Sequence, residues 1–175
     1  ARWGAAGGGR PVPQLNVNVS SRQLEHDDFA GEVAAVLAAT GLPAARLTLE
    51  LTEGTLMRRT EDALARLRAL KALGVRLAVD DFGTGYSSLA YLQRFPVDEL
   101  KLDRSFVEGV AVTAHDAEIA RVVLALGDAL GLRTVAEGVE TPAQYARLRA
   151  LGCVLGQGYL FARPLDAAAA EGLLW

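Results

Sequence analysis

Two hydrophobic rhythms alternate along this chain. Runs with an apolar residue at every second position read as strands: 15–19 (LNVNV), 46–51 (RLTLEL), 75–80 (VRLAVD), 99–103 (ELKLD), 132–137 (LRTVAE) and a weaker 154–157 (VLGQ). Between them, amphipathic stretches predict helices near 28–39, 60–73, 87–94, 116–130 and 141–150, with a last helix near 166–174. Leucines 64, 67, 70 and 73 recur every three residues and give the second helix one apolar and one basic face. The basic face reads as solvated surface. Thr60 and Thr141 suit N-caps, the latter with Pro142 at the first helical position. Gly41, Gly74, Gly131 and Gly152 stand where helices should stop.

Six strand–helix units in strict alternation predict an α/β fold with a parallel sheet. A doubly wound sheet and a (β/α) barrel both satisfy the alternation, and the polar positions decide between them. Leu15, Val17 and Val19 share one strand face, Asn16 and Asn18 the other. Likewise Leu47, Leu49 and Leu51 oppose Thr48 and Glu50; Val75, Leu77 and Val79 oppose Arg76, Ala78 and Asp80. Leu100 and Leu102 oppose Lys101, while Glu137 is in phase with Val135 and Gln157 closes the sixth run. Successive strand ends thus carry Asn18, Glu50, Asp80, Lys101, Glu137 and Gln157. An open sheet would scatter these groups over two faces. A barrel turns the second face inward and gathers all six at its C-terminal mouth, where barrel enzymes keep their active sites.

Bulk composition narrows the function classes. The 175 residues suffice for one domain, 51% hydrophobic and 22% charged. A net charge of −3 excludes a general binder of DNA or RNA polymer, which needs a basic surface. A single cysteine, Cys153, allows no internal disulfide and fits a reducing, cytoplasmic setting. No apolar run approaches a membrane span, and the Gly/Pro/Ala-rich opening has no signal-peptide core. That opening reads as linker or loop. Met57 is the only methionine, so the chain is expected to begin inside a longer polypeptide or after processing, and an upstream part could anchor it to a membrane.

Three carboxylates in one mouth repel unless cations join them. Asn, Glu and Asp are hard oxygen donors, suited to Mg²⁺, Mn²⁺ or Ca²⁺ rather than zinc. The adjacent Asp80 and Asp81 could bridge two ions, a standard device for phosphodiester hydrolysis. Lys101 would add a fixed positive charge for a phosphate or the attacking water. Any one of these residues alone reads better as a surface charge or salt bridge; six in phase do not. Directly after the Asp pair, FGTGYSSLAYL (82–92) holds Gly83 and Gly85, with Ser87 or Ser88 placed to cap the next helix. A Gly-rich loop beside a metal pair suits a mobile gate.

In this order LNVNVSSRQL (15–24), LELTEGTLM (49–57), DDFGTGYSSLAYLQRFPVDELKLDRSFV (80–107), TVAEGVET (134–141) and GQGYLFARP (156–164) closely resemble the EAL family of cyclic-di-GMP phosphodiesterases. The resemblance implies a modified TIM-type (β/α)₈ barrel that hydrolyses the bacterial messenger cyclic-di-GMP to linear pGpG with Mg²⁺ or Mn²⁺ at a two-metal site. It implies that Asn18, Glu50 and Asp80 are metal ligands, and that Asp81 is a ligand or water-holder for the second ion. Lys101 would touch the attacking water or phosphate, and Glu137 would be the second-site acid and general base. Glu53 resembles the anchor of the 82–88 loop; Glu140 and Gln157 resemble supporting residues. The loop and its neighbouring helix also imply a homodimer, and the family implies upstream sensory or cyclase domains.

One departure matters. The Glu-x-Leu-x-Arg motif that names the family lies on a strand upstream of the Asn18 strand, and nothing before Leu15 matches it. Residues 1–14 are expected to be the tail of the preceding helix and its loop, and 15–175 the C-terminal portion of the domain. The chain would then hold six of eight strand–helix units, a partial barrel of weak or no activity alone. Two rival readings stand beside a phosphodiesterase: a non-catalytic cyclic-di-GMP receptor on the same barrel, and an unrelated metal-dependent barrel hydrolase.

Overall fold

The computed structural model describes residues 13–57, 60–83 and 89–174. Its strands are β1 (Leu15–Asn18), β2 (Leu47–Thr52), β3 (Arg76–Phe82), β4 (Glu99–Leu102), β5 (Arg133–Ala136) and β6 (Leu155–Gly156). Described helices are α1 (Ser21–Leu24), α2 (Phe29–Thr40), α3 (Glu53–Met57), α4 (Thr60–Ala72), α5 (Leu89–Leu92), α6 (Arg104–Glu108), α7 (Ala114–Ala129), α8 (Pro142–Ala150) and α9 (Ala167–Leu174). The six strands form one sheet in chain order, and the pairings of β1 with β2, β2 with β3 and β5 with β6 are parallel. A parallel sheet with a helix after each strand is what strict alternation demands, since a parallel return needs a crossover.

The chain divides into two compact units, with boundaries at Asp80/Asp81, Thr84/Gly85 and Glu99/Leu100. In the first, Leu47, Leu49 and Leu51 of β2 and Val75, Leu77 and Val79 beside them are buried, as are Leu64, Leu67 and Leu70 of α4. The three-residue leucine repeat thus buries the face it predicts, with Leu73 half-buried past the helix end. Gly41 ends α2 at φ 67, donating its backbone N–H to the Leu37 carbonyl, a left-handed cap that costs glycine little. Asp98 fastens this unit. Its carboxylate accepts from Lys71 Nζ at 2.8 Å through both oxygens and from the Leu77 backbone N–H at 2.8 Å.

Val17 departs from the simple pattern. It belongs to the apolar face of β1 yet remains 47% exposed; among the described residues β1 stands at the end of the strand order. Polar groups on the other face form their own layer. Gln14 donates to Thr48 Oγ1 at 2.9 Å, and Thr48 donates to Glu99 Oε1 at 3.3 Å, so buried Thr48 and Glu99 satisfy each other.

In the second unit Leu100, Leu102, Val107, Val110, Ala120, Ala136 and Val139 are buried. Thr113 caps α7, and Thr141 caps α8 in a capping box with Gln144, with Pro142 opening the helix as its sequence predicts. Thr60, in contrast, is the first residue of α4 rather than a cap before it. The expected caps Ser87 and Ser88 and the gate glycine Gly85 lie outside the described residues, as does most of the 1–14 tail. Among the described residues no helix is long and apolar enough to cross a membrane.

Candidate active site

The first unit supplies Asn18, Glu50, Asp80 and Glu53. Asn18 ends β1 and pairs in register with Glu50; Glu50 in turn pairs with Ala78, two residues before Asp80. Parallel register and the two-residue side-chain repeat therefore set Asn18, Glu50 and Asp80 on one face, towards the C-terminal strand ends. Asn18 is exposed, whereas Glu50 is only 5% exposed and Asp80 is buried. Glu50 Oε1 accepts a 2.7 Å hydrogen bond from Asn16 Nδ2. Glu53, the first residue of α3, is buried immediately past β2. Most of the loop it was expected to anchor, 84–88, lies outside the described residues.

Asp81, Lys101, Glu137, Glu140 and Gln157 belong to the second unit. Lys101, 2% exposed in β4, holds Glu137 Oε1 at 2.5 Å. The same oxygen accepts from Gln157 Nε2 at 2.6 Å. Backbone bonds register these three: Glu137 N–H donates to the Leu102 carbonyl, and Gln157 N–H to the Ala136 carbonyl. A Cβ on Gly158 would come within 2.2 Å of the Val139 carbonyl oxygen, so glycine lets the residue after Gln157 lie against that backbone. Carboxylate oxygens of Asp81 and Glu137 lie within 4.8 Å of each other.

Strand alternation alone would send Asp81 to the face opposite Asp80. Asp81 instead has φ 54, the left-handed region that aspartate tolerates better than most side chains, and this breaks the two-residue repeat.

Glu140 pairs with an arginine. It meets Arg104 at 3.2 Å, and Arg104 also donates to Glu108 at 2.8 Å; these two carboxylates hold the guanidinium pKa above its ordinary value. Arg104, Glu140 and Gln157 line a cleft of about 380 Å³ with Tyr159 and Arg163, whose guanidinium stacks 4.8 Å over the tyrosine ring. Asn16, Glu99, Arg104, Tyr159 and Arg163 were not singled out by sequence reasoning. Arg104 and Tyr159 had a signal, since they stand three residues after Lys101 and two after Gln157.

Whether these residues fit divalent cations is answered by their chemistry. Both units place carboxylate and carboxamide oxygens at strand ends, the donor set of a hard cation, and two of the carboxylates crowd within 4.8 Å. They fit.

An EAL domain family model matches residues 1–164, and the chain belongs to that family. It is 49% identical over 161 residues to the cyclic di-GMP phosphodiesterase NbdA of Pseudomonas aeruginosa, covering 92% of this chain and 21% of that protein. The EAL domain of Mycobacterium smegmatis DcpA superposes with a TM-score of 0.92 at 43% identity, covering 99% of this chain and 77% of that one. A manganese and cyclic di-GMP complex of Klebsiella pneumoniae BlrP1 superposes with a TM-score of 0.81 at 36% identity, covering 86% of this chain and 39% of that one. The chain thus spans about a fifth of NbdA's length. With six strands in chain order and this likeness to DcpA, the fold is the expected partial TIM-type α/β barrel, and the doubly wound alternative is excluded.

Proposed function

We propose that this chain supplies most of the active site of a cyclic-di-GMP phosphodiesterase, which opens one phosphodiester bond of the messenger to give linear pGpG. The observation that carries the reading is the buried Lys101 against Glu137 and Gln157, with Asp81 beside Glu137, in a chain of the EAL family. Asn18, Glu50 and Asp80 would hold one Mg²⁺ or Mn²⁺, and Asp81 and Glu137 a second. Such ions, when bound, acidify the attacking water and neutralise phosphate charge.

The chain's own groups do the rest. Lys101 orients the attacking water or a phosphate oxygen from a side chain held in place by burial and by Glu137. Glu137 takes the proton from the water, its rotamer set by Lys101 and Gln157. The cleft of Arg104, Glu140, Tyr159 and Arg163 offers guanidinium and ring surfaces to an anionic, aromatic ligand. Glu53 anchors the 82–88 loop, and the protein acts as a homodimer in the cytoplasm beside sensory or cyclase domains.

The test is hydrolysis of cyclic di-GMP by the full-length protein, followed by chromatography of pGpG with and without Mg²⁺ or Mn²⁺. Turnover should vanish with EDTA and fall roughly 10³-fold or more in Asp80→Asn, because the ions supply several kcal/mol of transition-state stabilisation. Wild-type-like rates in that variant would sink the two-metal assignment. Tight cyclic di-GMP binding with no turnover by wild type would favour the receptor reading. The 175-residue chain assayed alone, which aligns with 77% of the DcpA EAL-domain chain, should turn over far more slowly than the full-length protein.

A further inference from the structure

A line of hydrogen bonds below the strand ends of the first unit has no part in the roles assigned above. Arg76 Nη1 donates to Gln14 Oε1 at 3.4 Å, Gln14 Nε2 to Thr48 Oγ1 at 2.9 Å, and Thr48 Oγ1 to Glu99 Oε1 at 3.3 Å. It joins the start of β3, the residue before β1, the middle of β2 and the first residue of β4, all within the first unit. The two ends fix its direction. A guanidinium only donates and a carboxylate only accepts. The Gln14 carboxamide therefore turns its oxygen to Arg76 and its nitrogen to Thr48, whose one hydroxyl proton goes to Glu99. Bonds aligned in this way polarise and strengthen one another.

Each member on β1 to β3 stands below a residue of the candidate site. Gln14 lies four residues before Asn18, Thr48 two before Glu50 and Arg76 four before Asp80, so the two-residue repeat puts each on the face of the residue above it. Asn18 depends on this layer most. Its carboxamide is exposed and makes no hydrogen bond among the described residues, so its strand alone places it. A strand that slips by one residue turns its side chains to the other face. The Gln14–Thr48 bond, at the foot of β1, holds the register in which Asn18 stands beside Glu50.

We propose that Gln14 is a positioning residue for Asn18. By completing the line from Arg76 to Glu99 it fixes β1 on β2 and so places the Asn18 carboxamide for a divalent cation. This rests on the reading of Asn18 as a metal ligand.

The experiment is Mn²⁺ titration of the full-length protein, with free Mn²⁺ read by electron paramagnetic resonance well below the unfolding temperature of each variant. Gln14→Met keeps the length of the side chain and removes both polar atoms. It should weaken Mn²⁺ binding roughly threefold to tenfold, less than the 10–100-fold of a residue that touches the ligand itself. Thr48→Val keeps its shape, breaks the same line one link further on, and should weaken binding as much. The double variant should bind no more weakly than either single one, because a line acting as a unit is broken only once. Losses that add in the double variant overturn the inference. Unchanged affinity in Gln14→Met, with Asn18→Ala weakened, overturns the positioning role alone. Unchanged affinity in both overturns the ligand reading of Asn18 and this inference with it.

Discussion

Glu50 in the first unit and Glu137 in the second both stand at strand ends with little exposure, but different partners hold them. Asn16, a neutral carboxamide, donates to Glu50 at 2.7 Å. Glu137 is gripped by the Lys101 ammonium at 2.5 Å and the Gln157 carboxamide at 2.6 Å on the same oxygen. The difference teaches how one protein can hold the same side chain with two kinds of donor. A lysine ammonium beside a carboxylate adds a favourable charge to the bond, whereas a carboxamide donor orients a carboxylate without adding charge.

The comparison breaks most visibly at Lys101. Lys101→Met should destabilise the protein by about 3–5 kcal/mol in urea unfolding, because it strands a carboxylate that lost its cation. Adding Glu137→Gln should restore most of that loss; a double variant as unstable as the single one would show that Lys101 matters for packing rather than for pairing.

Asp98 sharpens the contrast, because the first unit also contains a cation–carboxylate pair, placed at the start of β3. Both partners are about 30% exposed, so water shares the load. Asp98→Ala removes acceptors from Lys71 and from the Leu77 N–H, and should cost about 2 kcal/mol. A loss matching that of Lys101→Met would show that burial does not set the difference. Smallest of all, Asn16→Ala should shift stability in urea unfolding by less than about 0.5 kcal/mol, since Asn16 is exposed. A large stability loss there would make Asn16 a fold residue and erase the distinction between the two carboxylates.

Much of this was legible in sequence because strands repeat every second residue. That period put Asn18, Glu50, Asp80, Lys101, Glu137 and Gln157 at successive strand ends before any coordinates, and the leucine repeat of α4 marked the face that is buried. One-turn helices escaped notice: α1, α3 and α6 span 4, 5 and 5 residues, too few to show a 3.6-residue rhythm. Thr60 lies within α4 rather than before it, a boundary difference of the kind that capping residues alone cannot settle. Arg104 and Arg163 were not singled out, since nothing in the local pattern says that they line one cleft.

By itself, then, the sequence determined the alternation of strands and helices, the inward polar face, and the family motifs along β1 to β6. Those depend on local periodicity and residue type. Tertiary structure alone decided that Asn16 reaches Glu50 rather than its register partner Thr48, and that Asp81 turns through a positive φ out of phase with its strand. It also decided that Lys101, Glu137 and Gln157 meet on one oxygen. Each of these depends on interstrand register or on a single backbone torsion, which local hydrophobic pattern does not encode.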